Sequence, residues 1–248
     1  MKRRSFRPAV TALRIALAMG LVLSSFSTLA MAQGYIPPNR GLPGRREGGG
    51  TRGNCLDQQQ QLRTLVALNP TTNFSVTVSE QPTLYWFVPQ STARSAELIL
   101  SNAQGEELYT LTFPITGQAG IVSVKLPAIA NNTTLEIGKD YQWSFTVICD
   151  TQDLSGNPST SGWIQRREAT PELSQQLAGV AEGDRFSVYR NAGIWQEALT
   201  NLAEQRRQQP NDAAIQSRWR DLLQSVGLEG LASAPILSCC EAPANLNR

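Results

Sequence analysis

Histidine is absent from all 248 residues. That absence excludes Ser-His-Asp and Cys-His nucleophilic catalysis, and every zinc site that needs an imidazole. It also removes the side chain whose ordinary pKa lies nearest neutrality. Net charge is small, with 22 Lys and Arg against 20 Asp and Glu. Five of those bases (Lys2, Arg3, Arg4, Arg7 and Arg14) sit in the first 32 residues, which hold no acid. Setting them aside leaves 17 bases against 20 acids, so the remainder has no basic excess to offer nucleic acid. Beyond residue 32 no apolar run is long enough to span a bilayer.

The first 32 residues have the build of an export signal. A basic start gives way to an apolar run from Ile15 to Leu23, and the segment ends in Ala30-Met31-Ala32, a small-x-small cleavage pattern. Cleavage after Ala32 delivers the chain to the periplasm or the medium. Gln33, not a cysteine, stands directly after the cleavage point, so no lipid attachment is expected there. Residues 33–54 form an arm rich in Gly, Pro and Arg; it has no apolar periodicity and is expected to lack regular structure on its own.

Residues 55–168 carry the pattern of strands. Short apolar runs at 62–68, 74–78, 83–88, 96–100, 106–113, 121–126, 141–149 and 163–167 are separated by turn residues such as Asn102-Ala103-Gln104-Gly105. In 141–149, Tyr141, Trp143, Phe145 and Val147 alternate with Gln142, Ser144 and Thr146, which means one buried face and one wet face. The pattern Leu135-x-x-Gly138-x-x-Tyr141-x-Trp143 is similar to a corner of immunoglobulin-like and fibronectin-like sandwiches, where a tyrosine hydroxyl bonds back to upstream backbone. It departs from antibody domains in having no cysteine two residues after Tyr141. The expected fold is mainly β: an immunoglobulin-like or fibronectin-like antiparallel β-sandwich.

A small C-terminal helical unit is expected at 169–230, followed by a tail at 231–248. Helical spacing appears at 171–180, 184–192, 195–209 and 213–226; in the last, Ile215, Trp219, Leu222, Leu223 and Val226 make one stripe. Gly193-x-Trp195-x-x-Ala198-x-x-x-Leu202 resembles half of a tetratricopeptide repeat. A single copy cannot bury a solenoid core, so these helices are expected to pack on themselves or on the strands.

Four cysteines in an exported chain suggest disulfides, and three connectivities are open. Cys55 precedes the first strand and Cys149 ends the clearest one, which favours Cys55–Cys149; the alternative is two buried thiols. Cys239 and Cys240 are neighbours, and a ring between them is strained. The four lack the paired spacing of a metal site, so no metal or cofactor is expected.

One stretch is more specific. Arg40-Gly41-x-Pro43-Gly44-Arg45-Arg46-Glu47-Gly48-Gly49-Gly50-Thr51-Arg52-Gly53-x-Cys55 stands upstream of Thr77-Val78-Ser79-Glu80-Gln81-Pro82-Thr83, Trp86-Phe87-Val88-Pro89 and the 143–150 strand. Together these resemble the cyanobacterial domain of unknown function 928 family, from about residue 40 to 230. The resemblance implies a secreted or periplasmic protein with no assigned activity. It also suggests association with CHAT-type protease-like or CHASE-type sensor proteins.

Three candidate sites follow from the residues. In the arm, Arg40, Arg45, Arg46 and Arg52 face a single acid, Glu47; glycine-freed amides and planar guanidinium groups suit phosphate, sulfate or a carboxylate-rich partner. The same arginines can instead bond carbonyls of their own domain. Tyr85, Trp86 and Trp163 offer stacking surfaces for sugar, or fill the core. Glu106 with Glu107, and Asp150 with Asp153, are the acid pairs an acid–base enzyme could use. The function expected is an exported, non-enzymatic binding or envelope-associated accessory protein that recognises an envelope protein or an anionic or glycan ligand. The alternative is a histidine-free, carboxylate-dependent hydrolase acting on glycans.

Overall fold

The structure is a computed structural model that describes residues 35, 42–49, 55–57, 64–126 and 135–238. Among them are nine strands: β1 (Arg45–Gly49), β2 (Val66–Ala67), β3 (Phe74–Thr77), β4 (Thr83–Val88), β5 (Ser95–Asn102), β6 (Glu107–Pro114), β7 (Gly120–Lys125), β8 (Asp140–Ile148) and β9 (Ser159–Arg166). Four α-helices follow: α1 (Pro171–Ala178), α2 (Arg185–Asn191), α3 (Trp195–Gln208) and α4 (Ala213–Gln224). Residues 1–32, expected to be an export signal, and Arg40, Arg52, Cys239 and Cys240 lie outside the described residues.

The sequence predicts two separate sheets in an immunoglobulin-like sandwich. The structure shows a single, mainly antiparallel sheet curled into a half-barrel, in the order β6-β5-β8-β9-β1-β2-β4-β7, with β3 joined to β9. The two halves do face each other: Trp86 of β4 stacks on Phe145 of β8 with ring centroids 4.3 Å apart, although several strands separate them along the sheet. They are one sheet because β1 joins them, pairing with β9 on one side and β2 on the other.

That joining strand comes from the arm, which by itself predicts no regular structure. Backbone partners specify it rather than an apolar period. Arg45 pairs with Ser161 and Gly49 with Ser159 on one edge, and Glu47 pairs with Val66 on the other. Gly48 permits the approach: its N–H donates to Leu65 O at 2.6 Å, and a Cβ there would lie 2.9 Å from Leu65 Cβ.

β9 shares its second edge between two strands. β1 takes residues 159–161, and β3 runs parallel along residues 163–166. Asn73 closes the junction. It adopts φ 57°, a left-handed conformation that asparagine tolerates better than most residues. Its Nδ2 donates to Ser161 O at 2.8 Å, and its carbonyl accepts the Trp163 N–H at 3.0 Å. Gly162 leaves room for the Trp143 ring, which faces it across the β8–β9 ladder; a Cβ there would strike that ring.

β8 shows the alternation expected of it: Tyr141, Trp143, Phe145 and Val147 are buried and their neighbours half-exposed. The Glu136 N–H donates to the Tyr141 hydroxyl at 3.0 Å, and Gly138 turns the corner at φ 79°. β4 behaves differently, because both of its faces are covered. Leu84, Trp86 and Val88 fill the inside of the curl, while Tyr85 and Phe87 pack outward against Trp195, Leu199, Leu202 and Trp219 of the helices. Each large apolar side chain sealed in this way stabilises by roughly 1.5–3 kcal/mol. Helices as short as α1 and α2 are not stable alone, so the sheet holds them in place.

Polar anchors fix the register of α3 on the sheet. Trp195 Nε1 donates to Leu68 O at 2.8 Å, and Gln196 Nε2 donates to Ser75 Oγ at 2.9 Å. Tyr35, from the start of the arm, packs edge-on against Trp195 with centroids 4.9 Å apart. Cys55 and Cys149 form a disulfide, with Cα atoms 5.5 Å apart. Among the described residues no helix is long and apolar enough to cross a membrane.

Candidate functional site

α3 carries two kinds of face. Trp195, Ala198, Leu199 and Leu202 press on the sheet, while Glu197, Thr200, Asn201 and Glu204 recur at helical spacing on an adjoining polar stripe. That stripe forms one wall of a cavity of about 310 Å³ between the sheet and the helices. Ser79 and Gln81, from the turn after β3, form a second wall. Thr83 and Lys125, a cross-strand pair of β4 and β7, extend it. Arg185 and Tyr189 of α2 close the far side, next to Glu182 in the preceding turn.

The helical wall is held by its own hydrogen bonds. Asn201 Oδ1 accepts the Phe186 N–H at 3.2 Å, and its Nδ2 donates to Glu182 O at 3.0 Å. Gln205 Nε2 donates to Gly183 O at 2.9 Å. Arg218 of α4 pairs with Asp184 at 3.4 Å and lies over the Phe186 ring. The 182–186 turn is thus pinned from α3 and from α4, and the cavity has fixed sides.

Glu197 is the unusual member. The residue is partly exposed, yet its carboxyl oxygens lie deep. Oε1 accepts the Thr77 hydroxyl at 2.5 Å and the Ser79 N–H at 3.1 Å, and Oε2 is sealed from solvent. Burial raises the carboxyl's pKa above the ordinary glutamate value, against the opposing pull of the Thr77 hydroxyl and of the Glu197, Ser79 and Val78 backbone N–H groups. Burial likewise raises the Tyr189 phenol, helped by the nearby Glu197 charge and opposed by Arg185. Tyr85, beneath the stripe, donates to Thr200 Oγ1 at 3.3 Å, and burial pushes it up to about 12. Arg185 Nε is likewise buried. The cavity is therefore lined by hydroxyl and amide groups and by charged side chains of both signs.

The residues singled out from the sequence have other surroundings. Arg45 is exposed on β1. Arg46 is half-buried, and its Nη1 donates to Val226 O at 2.7 Å and Asn69 O at 3.4 Å. Tyr85 and Trp86 are buried and offer no stacking face to solvent. Trp163 is half-exposed and donates from Nε1 to Pro43 O at 2.6 Å. The acid pairs serve turns. Glu106 Oε2 accepts from Asn102 Nδ2, Asp150 Oδ1 accepts the Gln152 and Asp153 N–H groups, and Asp153 Oδ1 accepts from Ser155. None of these acids lines the cavity.

A larger cavity, of about 540 Å³, lies beside Arg206, Arg207 and Pro235. Its guanidinium groups are engaged: Arg206 donates to Ala234 O at 2.8 Å and Arg207 to Ser123 Oγ at 2.8 Å. Among the described residues no group of three or more His, Cys, Asp or Glu gathers to hold a metal ion. Residues 47–236 match the family described as Domain of Unknown Function (DUF928). No curated protein matches the chain.

Proposed function

This chain belongs to the DUF928 family, and we propose that it is an exported, non-enzymatic binding protein of the cell envelope whose contact site is the cavity over Glu197. The observation that carries this reading is a polar cavity of about 310 Å³ whose helical wall is fixed by its own hydrogen bonds and whose lining joins hydroxyl, amide and charged side chains of the sheet and the helices. The export-type N-terminus supplies the destination. The curled sheet serves as a frame that carries its contacts on the turns and helices at one side.

In-cell crosslinking tests the reading. A photo-reactive residue at Gln81 or Glu204, on the cavity wall, is expected to yield specific adducts by mass spectrometry. The same residue at Thr110 or Thr112, exposed on β6, is expected to yield none. Adducts at β6 with none at the cavity would refute it.

The raised carboxyl of Glu197 favours a second reading, a carboxylate-dependent hydrolase. A carboxyl whose pKa is raised by burial is the kind of group a general acid uses. Turnover of a glycan substrate that disappears in Glu197→Gln would support it over pure binding.

A further inference from the structure

The geometry points to a second binding site, the cavity beside Arg206 and Arg207, which takes an amphiphilic carboxylate: an anionic group on an apolar stem. This goes beyond the site over Glu197 and does not depend on it. The two arginines stand in the last turn of α3. Arginine at that place commonly serves the helix dipole, yet neither of these bonds a carbonyl of its own helix end. Arg206 Nη1 donates to Ala234 O, and its Cζ lies 5.4 Å from the centroid of the Trp219 ring. Arg207 Nη2 donates to Ser123 Oγ on β7. Those bonds fix where the two forks point. They occupy a single N–H of each, and the other donors of each planar fork remain for an acceptor.

Both groups are reachable: Arg206 is half-buried, Arg207 is exposed, and both line the cavity. Among the described residues neither has a carboxylate partner, and the cavity lining holds no acid. Glu204, earlier on α3, lines the other cavity. Burial disfavours the charged Arg206 guanidinium, and no acid offsets it. A carboxylate supplies the missing charge and matches the fork with paired bonds. The rest of the wall calls for the stem, because Pro210, Pro235 and Ile236 line it. That wall is held firmly. The Ile121 N–H donates to Pro235 O at 2.7 Å and the Leu237 N–H to Ile121 O at 2.8 Å, so this segment lies parallel along β7. Gly120 permits the approach, since a Cβ there would lie 2.6 Å from Leu237 Cγ. A bare inorganic ion would leave the apolar wall wet, whereas a stem covers it. At about 540 Å³ the space falls within the roughly 300–1,000 Å³ of ligand sites.

The test is a set of titrations of the full chain followed by amide NMR. Hexanoate and N-acetyl-leucine stand for the two sources of such a group, a fatty acid and the C-terminus of a peptide. Acetate and inorganic phosphate are anions with almost no stem, and hexanamide is a stem without charge. At least one of the first two is expected to saturate and to shift the amides of Ser123, Arg207, Ser233 and Ile236, with Thr200 and Asn201 of the other cavity unmoved. Whichever binds tighter names the source. Arg207→Gln is expected to weaken that probe about tenfold or more, as losing a hydrogen bond to a charged group does. Arg206→Gln is expected to do the same; should it fail to fold, the exposed Arg207 variant still decides. Hexanamide binding as tightly as hexanoate would overturn the anionic assignment. Acetate or phosphate binding as tightly would overturn the stem. Saturation by none, or shifts confined to Thr200 and Asn201, would overturn this site and leave the reading of the Glu197 cavity standing.

Discussion

Replacing Cys55 and Cys149 together by serine is expected to lower folding stability by about 4–5 kcal/mol. The bond spans 94 residues of sequence, and in the chain-entropy account a loop of that size confines the unfolded chain strongly. The native loop beside it has its own support. Buried Asn157 accepts the N–H groups of Cys149 and Asp150 through Oδ1, both at 3.0 Å, and donates from Nδ2 to Asp150 O at 2.9 Å. The folded state is therefore expected to keep its shape, with the loss arising from a looser unfolded state. Denaturant unfolding of parent and double variant checks this. The variant should show a much lower midpoint and an unchanged folded-state spectrum; equal midpoints under oxidising conditions would contradict it.

Arg46→Ala is expected to cost about 1.5–3 kcal/mol, the range for hydrogen bonds that involve a charged group. Arg45→Ala is expected to stay within about 0.5 kcal/mol. The difference lies in position on β1. Arg45 is exposed, whereas the Arg46 guanidinium reaches Val226 O just past the C-terminal end of α4. Carbonyls at a helix C-terminus carry the negative end of its dipole and favour a cation there. Burial lowers the Arg46 pKa, and Glu47 beside it works in the opposite direction. Arg46 thus ties the joining strand to the helical layer, and its removal leaves Val226 O without this donor. Thermal and denaturant unfolding of the two single variants separates the roles. Equal stability of both, together with loss of anion binding in Arg46→Ala, would make the arm an anion site instead.

Much of the β region is legible in the sequence. The alternation of Tyr141, Trp143, Phe145 and Val147, the Asn102–Gly105 turn and the stripe through Trp219 each state a local period, and the structure realises all three. A period of two does not say which edges meet. For that reason β1, held by neighbours on both sides and poor in apolar residues, carries no strand signal, and the joining of the halves into one sheet stays hidden. β3 running parallel to β9 is hidden for the same cause. The clue to the docked helices is present at 84–88: an unbroken apolar run marks a strand covered on both faces. Glu197, Thr200, Asn201 and Glu204 read as an ordinary solvated helix face. Only the turn carrying Ser79, brought over them by the fold, makes that stripe a cavity wall.

The most direct measurement is a carbon-detected NMR titration of the Glu197 carboxyl in the full chain. The account expects its midpoint above the ordinary glutamate value of 4.5, because the group is buried. A carboxyl raised in the folded state contributes stability below its unfolded pKa, and that contribution is lost as pH rises through the folded midpoint. The titration should therefore coincide with a decline in stability toward neutral pH, reduced when Glu197 is replaced by Gln. A midpoint at or below 4.5, with no such decline, would contradict a carboxyl held out of water in the wall of the cavity.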